Sequence, residues 1–341
     1  MNSIMLFNKA NVVITECLKV KPNEEILIVV DETLSKDLVS AFKIAASNVG
    51  AKPHVLSYTP DRFTPLKEYC VFGGTSMRDY ELPKTVLAAM KGADAIIMLI
   101  SDMDSFFSTT LKKELGYRRI IFMQYITEES FLRLFPSSSQ EVISLKETVE
   151  KVAKCFKESH EAKITSPQGT NIVMELGEYG IFPQTGISEP GILQVLPGGQ
   201  VSTIPNDGSA EGTLVIDRSI AAQEYKVLQE PIVLQVEKGC VVDIKGGTDA
   251  KSLKRFLEEL KDPNIYHVTE LAMGLNQRCK FAGIAAPTED THIIGCVSMA
   301  LGCDIQIGGK NKAAAHIEMT MMFPTLTLDG KIIVEDGKLN I

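Results

Sequence analysis

The first half of the chain alternates short apolar runs with longer amphipathic stretches. Residues 25–30 and 53–58 are apolar runs of strand length, and residues 34–49 between them show the apolar spacing of a helix that ends at Gly50. The same rhythm continues with a predicted helix over 82–90, strands over 95–100 and 118–123, and a helix around Leu111. Apolar strands that alternate with helices indicate a parallel sheet covered on both faces.

This pattern predicts a doubly wound, flavodoxin-like domain at the N-terminal side. Such domains often bind nucleotides through a glycine-rich loop after the first strand. Neither G-x-G-x-x-G nor G-x-x-x-x-G-K-[ST] follows residues 25–30, and the Phe-Gly-Gly-Thr sequence at 72–75 is too short to hold a phosphate. We therefore assign no nucleotide to this half.

The second half changes to strands and glycine-rich turns after a long helix predicted over 140–157. The predicted elements are strands over 170–175, 212–217, 231–237 and 240–244, a helix over 251–260, and C-terminal hairpins with Asp-Gly turns at 329–330 and 336–337. We place the domain boundary near residue 160. The fold prediction is an α/β domain over 1–160, followed by a mainly antiparallel α+β domain over 161–341.

Composition and charge narrow the class of protein. A chain of 341 residues exceeds the usual size of one core, and 45% apolar residues with 23% charged residues are typical of a folded protein. The net charge is −8 without any basic stripe, so nucleic acid is not an expected partner. Seven scattered cysteines without a C-x-x-C pair indicate a reducing compartment. No apolar run reaches membrane-spanning length, and we expect a cytoplasmic location.

Candidate metal chemistry is concentrated near the C-terminus, in the sequence Ala-Ala-Ala-His-Ile-Glu-Met at 313–319. In an extended strand His316 and Glu318 share one face, so that both could bind one cation. The alternative is an edge strand whose two polar side chains face water. Two upstream residues bear on the choice between these interpretations.

Glu270 and His292 are the further candidates. Glu270 precedes an apolar run that ends in Gly-Leu-Asn, and His292 follows the acidic sequence Glu-Asp-Thr at 289–291, which would otherwise be a surface turn. Two carboxylates and an imidazole suit one divalent ion of the Zn, Mn or Fe class with coordination positions left for water and substrate. The metal ligands that we predict are Glu270, His316 and Glu318, with His292 as a fourth ligand or an acid–base group.

Several sequence words in the second half resemble the M29 family of metallo-aminopeptidases, also called aminopeptidase T or leucyl-aminopeptidase-like. The matching words occur in order: Ser-Pro-Gln-Gly-Thr-Asn at 166–171, Leu-Pro-Gly-Gly-Gln-Val at 196–201, Glu-Gly-Thr-Leu-Val-Ile-Asp at 211–217, Glu-Leu-Ala-Met-Gly-Leu-Asn at 270–276, Ala-Leu-Gly at 300–302 and His-Ile-Glu at 316–318. The same superfamily includes 2,5-dihydroxypyridine 5,6-dioxygenases, which use one ferrous ion. The resemblance implies the fold more firmly than the chemistry.

The resemblance also shows where this chain departs from the peptidases. It has Gln200 in place of their first carboxylate ligand, Ser298 in place of a histidine ligand, Glu318 in place of an aspartate and Ile305 in place of a tyrosine. An amide and a hydroxyl are poor ligands for two neighbouring cations, so we expect one ion. The dioxygenase relatives have a histidine where Glu270 stands, so that this position resembles the peptidases.

Taken together, these residues predict a metal-dependent hydrolase that cleaves an amide or peptide bond of a small-molecule or peptide substrate. The ion would activate a water molecule, and Glu211 or His292 would move the proton. One alternative is a mononuclear non-haem Fe(II) ring-cleaving dioxygenase, because one imidazole and two carboxylates are a variant of the facial triad. A non-catalytic binding descendant of the family is the other alternative.

A homodimer is the expected assembly. The resemblance implies pairing through the C-terminal domains, and two-fold association is the commonest form of soluble oligomer. Residues 326–334 of the C-terminal hairpins include five large aliphatic side chains on neighbouring strands, which could form a contact surface or cover the domain's own core.

Overall fold

The computed structural model describes most of the chain as two compact units. The described residues are 2–31, 34–58, 82–100, 114–116, 118–123, 126–222, 225–281 and 287–341. The first unit contains the described residues of Met1–Lys67, Asp79–Glu147 and Gln184–Gly198, and the second contains those of Glu68–Arg78, Thr148–Pro183 and Gly199–Ile341. The helix predicted around Leu111 and the Phe-Gly-Gly-Thr sequence at 72–75 lie outside the described residues.

Helices occur mainly in the first unit. They are α1 (Asn2–Val12), α2 (Lys36–Asn48), α3 (Lys84–Gly92), α4 (Glu128–Leu134), α5 (Ser139–Glu158), α6 (Thr248–Leu260) and α7 (Pro287–Asp290), with a π-helical turn at Val13–Cys17 and 3₁₀ turns at Pro263–Tyr266 and Ile305–Ile307. Ser35 caps α2, because its side chain accepts hydrogen bonds from the backbone N–H groups of Asp37 and Leu38. No helix within the described ranges is long and apolar enough to cross a membrane.

Strands make up most of the second unit. In chain order they are β1 (Glu25–Val30), β2 (Lys52–Ser57), β3 (Ala95–Leu99), β4 (Arg119–Met123), β5 (Glu161–Thr165), β6 (Asn171–Glu175), β7 (Ile181–Gln184), β8 (Leu193–Val195), β9 (Gln200–Thr203), β10 (Glu211–Ile216), β11 (Ser219–Ala221), β12 (Tyr225–Val227), β13 (Ile232–Glu237), β14 (Cys240–Gly246), β15 (Val268–Gly274), β16 (Val297–Gly302), β17 (His316–Met321), β18 (Thr325–Leu328), β19 (Lys331–Glu335) and β20 (Lys338–Leu339).

The first unit contains a five-stranded parallel sheet in the order β2-β1-β3-β4-β8. This is the strand order of flavodoxin-like folds. Strands β1, β3 and β4 are almost fully buried, which is why they read as continuous apolar runs. The predicted α/β class is confirmed, and its fifth strand is β8, which comes from a part of the chain beyond residue 160.

The second unit contains two antiparallel sheets. An eight-stranded sheet has the order β14-β13-β10-β6-β5-β18-β19-β20, and a seven-stranded sheet has the order β12-β11-β17-β16-β15-β9-β7. The Thr170 hydroxyl beside β6 lies 3.8 Å from the sulfur of Met321 on β17, so one face of the seven-stranded sheet packs toward the eight-stranded sheet. The mainly antiparallel α+β class is confirmed.

The C-terminal hairpins form as predicted, with both Asp-Gly pairs in left-handed backbone conformations. Positive φ at both central residues is the signature of the tight turns that join paired strands. Four of the five aliphatic side chains at 326–334 are buried within the chain: Leu326, Leu328, Ile333 and Val334. These side chains cover the unit's own core, so they are no evidence for a dimer contact surface. The homodimer stays a prediction.

The turn at Gly330 gives a prediction about stability. Its φ is +79°, and nothing lies within 4 Å of where a Cβ would stand. Gly330→Ala should therefore lower the free energy of unfolding by about 1 kcal/mol through backbone strain alone. Gly180→Ala is the matched control, because Gly180 also has open space around its Cβ position but lacks a positive φ. Urea denaturation that shows equal effects for both variants would contradict this account.

Candidate metal centre

One face of the seven-stranded sheet carries the polar residues that the sequence singled out. Directly paired residues of antiparallel strands point to the same face, and side chains alternate along each strand. The pairing register therefore places these residues on a common surface, here called the polar face: Gln200, Ser202, Glu270, Ala272, Ser298, Ala300, His316, Glu318, Thr320, Ser219 and Ala221. The opposite face carries Val201, Leu271, Met273, Met299, Ile317 and Met319.

Two of the three predicted ligands are in contact on the polar face, and the third lies on the same face. His316 Nε2 lies 3.3 Å from Glu270 Oε2, and these two side chains are only 5% and 8% exposed. Glu318 is partly buried and acts electrostatically on His316, while Glu270 acts on Glu318. Strand β17 lies between β16 and β11, so that the edge-strand interpretation of His316 and Glu318 is wrong.

Small residues on β16 allow this convergence. Ala300 is paired with Glu270 on one side and with Glu318 on the other, and Gly302 is paired with His316. Because each strand spacing is about 4.8 Å, the two glutamates start about 10 Å apart and must reach across β16. At Gly302 a Cβ would stand 2.2 Å from the carbonyl oxygen of Ala315, so a side chain there is excluded.

The protonation of His316 follows from its two contacts. Nδ1 lies 2.8 Å from the carbonyl oxygen of Cys303, which can only accept, so Nδ1 carries a proton. Nε2 faces the Glu270 carboxylate. Burial lowers the pKa of His316, but the hydrogen bond and charge of Glu270 and the charge of Glu318 outweigh it and raise the pKa overall. A proton on Nε2 therefore occupies the position that a cation would take.

Glu318 is the most perturbed carboxyl of this cluster. Its pKa is raised to about 8, mainly by burial and then by the charge of Glu270, while His316, Ser298 and Gln200 act in the opposite direction. Ser298 Oγ donates to Glu318 Oε1 at 3.3 Å. Gln200 and Ser298, the residues for which the sequence resemblance implied lost metal ligands, thus hydrogen-bond to Glu318.

The donor chemistry fits a cation. Two carboxylates and an imidazole share a buried face, and no lysine or arginine among the described residues forms an ion pair with Glu270 or Glu318. Buried carboxylates are costly unless a positive charge compensates them, and here the charge next to Glu270 is that of protonated His316. In the described part of the chain, no three His, Cys, Asp or Glu side chains lie grouped closely enough to hold an ion.

Of the two predicted proton-transfer residues, one lies away from the cluster. Glu211 is exposed at the start of β10 in the eight-stranded sheet, and its Oε1 accepts the backbone N–H of Lys238 at 2.8 Å. The structure does not bring it to the cluster. His292 is 3% exposed, and its Nδ1 lies 3.1 Å from Thr291 Oγ1. Its backbone lies beside the polar face, because a Cβ at Gly274 would stand 2.6 Å from the carbonyl carbon of His292 and Gly274 is paired with Gln200.

The surface-turn interpretation of the acidic sequence before His292 is wrong. Glu289 and Asp290 are each 1% exposed. Glu289 Oε1 accepts the backbone N–H of Lys280 at 3.0 Å, and Asp290 Oδ2 lies 3.6 Å from Arg218 Nε. Sequence spacing gave no sign of these partners, because Arg218 is 72 residues away from Asp290 in the chain.

Two solved structures share the fold of this chain over almost its whole length. The structure of 2,5-dihydroxypyridine dioxygenase from Pseudomonas putida KT2440 is similar with a TM-score of 0.81 and 21% identity, covering 100% of this chain and 98% of that chain. AmpT from Thermus thermophilus is similar with a TM-score of 0.68 and 15% identity, covering 99% of each chain. At these identities the likeness concerns the fold.

The sequence narrows the class to one family. The family model NicX, 2,5-dihydroxypyridine 5,6-dioxygenase, matches residues 6–341, and the chain belongs to this family. The curated 2,5-dihydroxypyridine 5,6-dioxygenase of Pseudomonas putida KT2440 is 25% identical over 260 residues, which are 74% of this chain and 73% of that protein. The prediction of an M29-type hydrolase, aminopeptidase or metalloprotease is therefore wrong, and the family supports the dioxygenase alternative.

The packing across β16 can be tested with Ala300→Leu. A leucine at this position would stand between Glu270 and Glu318, and we expect at least a tenfold weaker affinity for Mn²⁺ in calorimetric titration, at an overpacking cost of about 1–3 kcal/mol. Met299→Leu is the matched control on the opposite face, and circular dichroism checks that both variants fold. Equal Mn²⁺ affinity in the two variants would show that the three side chains do not act together.

The pKa shifts predict that metal binding releases protons. At pH 7, below the Glu318 pKa of about 8, both Glu318 and His316 Nε2 must lose protons before they can bind an ion. The apparent affinity for Mn²⁺ should therefore rise with pH between 6 and 8, by up to about tenfold per pH unit for each proton released. Calorimetry in buffers of different ionisation enthalpy measures the number of protons released per ion bound. This number should be smaller for the Glu318→Gln variant than for the unsubstituted protein. The exposed control Glu211→Gln should match the unsubstituted protein, and proton release independent of Glu318 would refute the assignment.

Proposed function

We propose that the protein is a metal-dependent dioxygenase that cleaves a dihydroxylated pyridine ring or a close relative of it. The proposal rests on the match of the family model to residues 6–341, combined with the buried contact between an imidazole and a carboxylate on the polar face. Glu270, His316 and Glu318 would hold one divalent ion, and we propose Fe(II). When bound, this ion would supply the redox chemistry that activates dioxygen toward the ring.

The residues of the chain prepare this site in two ways. The carbonyl oxygen of Cys303 fixes the His316 ring through Nδ1, so that Nε2 is directed at Glu270 and at the ion that would replace its proton. Ser298 and Gln200 orient the Glu318 carboxylate by hydrogen bonds. These two neutral side chains add no negative charge, which supports one ion per chain rather than two.

Two carboxylates and one imidazole distinguish this chain from the two-histidine, one-carboxylate pattern of many non-haem iron enzymes. The extra negative charge lies at Glu270. Because this carboxylate contacts His316 directly, it raises the pKa of the imidazole and makes Nε2 a stronger donor once the proton has left. We propose that Glu270 acts here as a ligand in its own right.

Oxygen uptake with 2,5-dihydroxypyridine tests the function. Protein reconstituted with Fe(II) under anaerobic conditions should bind about one iron per chain and, on admission of air, consume one dioxygen per ring lost. His316→Ala and Glu270→Ala should lose both iron and activity by a factor of about a hundred or more, whereas Glu270→His should retain the iron because it restores a facial triad. An iron-loaded protein that consumes no oxygen with this ring would contradict the proposal, as would two bound ions per chain.

A further inference from the structure

Ser202 carries a buried hydroxyl that the protein leaves unsatisfied. The residue is 0% exposed, and its Oγ has no hydrogen-bond partner among the described residues. A buried hydroxyl without a partner costs about 1–3 kcal/mol, and most native side chains avoid that cost. Neighbouring hydroxyls of the same sheet are bonded: Thr203 to the carbonyl oxygen of Gly180 at 3.2 Å and Ser298 to Glu318 at 3.3 Å.

The register directs this hydroxyl toward the candidate metal centre. Ser202 is paired with Ala272, which lies two residues from Glu270 on β15, so Ser202 and Glu270 share the polar face as diagonal neighbours. Diagonal neighbours on paired strands are about 7–8 Å apart. The Ala272 side chain between them is small, and the Glu270 carboxylate reaches away from β9 toward His316.

We propose that Ser202 Oγ hydrogen-bonds to a polar edge of the ring substrate, either a ring hydroxyl or the ring nitrogen, while the opposite edge of the ring faces Glu270, His316 and Glu318. The inference rests on the proposed function and names its substrate class more closely: a planar ring with polar groups on two opposite edges. The hydroxyl can donate or accept, so it suits a hydroxyl, an oxyanion or a pyridine nitrogen. Ser202 is then a residue that determines substrate specificity.

The test uses ligands that each lack one polar group. 2,5-Dihydroxypyridine is compared with 2-hydroxypyridine, 3-hydroxypyridine and hydroquinone, which lack one hydroxyl, the other hydroxyl and the ring nitrogen respectively. Their dissociation constants are measured by calorimetry without oxygen on Fe(II)-loaded protein. Ser202→Ala should weaken the binding of 2,5-dihydroxypyridine about 5- to 10-fold, the size expected for one hydrogen bond, and should leave the affinity for one of the three analogues unchanged.

Two further variants separate binding from folding. Ser202→Thr keeps a hydroxyl on the polar face and should restore most of the affinity. Thr203→Val removes the neighbouring hydroxyl, which points to the opposite face, and should not change the affinity for any ligand. Iron content and circular dichroism are recorded for each variant, so that a loss of fold is recognised.

The outcomes distinguish the inference from the proposed function. The inference is overturned if Ser202→Ala weakens the binding of all four rings equally or of none. It is also overturned if the unsubstituted protein binds none of the four rings. A protein that binds these rings with the expected Ser202 dependence but consumes no oxygen overturns the proposed function and leaves the specificity role standing.

Discussion

The arrangement of the candidate site depends on one constraint: two glutamates and a histidine must meet across a central strand on a buried face. Paired strands are too far apart for these side chains to touch unless the strand between them is nearly bare. Ala300 and Gly302 satisfy that condition on β16, and the 3.3 Å contact between His316 Nε2 and Glu270 Oε2 is the result. Burial is the main cause of the raised pKa of Glu318, whereas the pKa of His316 is raised by the neighbouring carboxylates against the effect of burial.

The same constraint bears on the number of cations that this site could hold. The seven-stranded sheet supplies a polar face, and the side chains placed on it determine which groups could bind a cation. In this chain Gln200 and Ser298 hydrogen-bond to Glu318. These two neutral side chains hold the Glu318 carboxylate in place and add no negative charge of their own. The site is therefore suited to a single ion.

Much of the fold was predictable from the sequence because local patterns coincide with burial. Apolar runs predicted β1, β3 and β4, and the Asp-Gly pairs predicted the final hairpins. The three-residue strand β8 was not predictable, since it is too short to show periodicity. Alternation within β17 placed His316 and Glu318 on one face. Only the strand order and register could show that Glu270 lies on the same face, two strands away.

The functional chemistry was harder to predict for a physical reason. A carboxylate–imidazole cluster suits both hydrolysis and oxygen activation, so sequence words shared by the superfamily could not separate them. The position of Glu211 depended on Lys238, 27 residues away in the chain, and the burial of His292 depended on the fold around the acidic segment that precedes it. Ser202 gave no signal at all, because its role depends on the absence of a partner in the folded structure.

The central claim is that a proton on His316 Nε2 takes the place of a cation between buried carboxylates. The most direct measurement is the ¹⁵N spectrum of the histidine ring in metal-free protein at neutral pH, assigned with His316→Gln. Our account predicts that both ring nitrogens carry protons and that a divalent ion removes the proton from Nε2 alone. A neutral ring in the metal-free protein, or a ring unchanged by the ion, would contradict it.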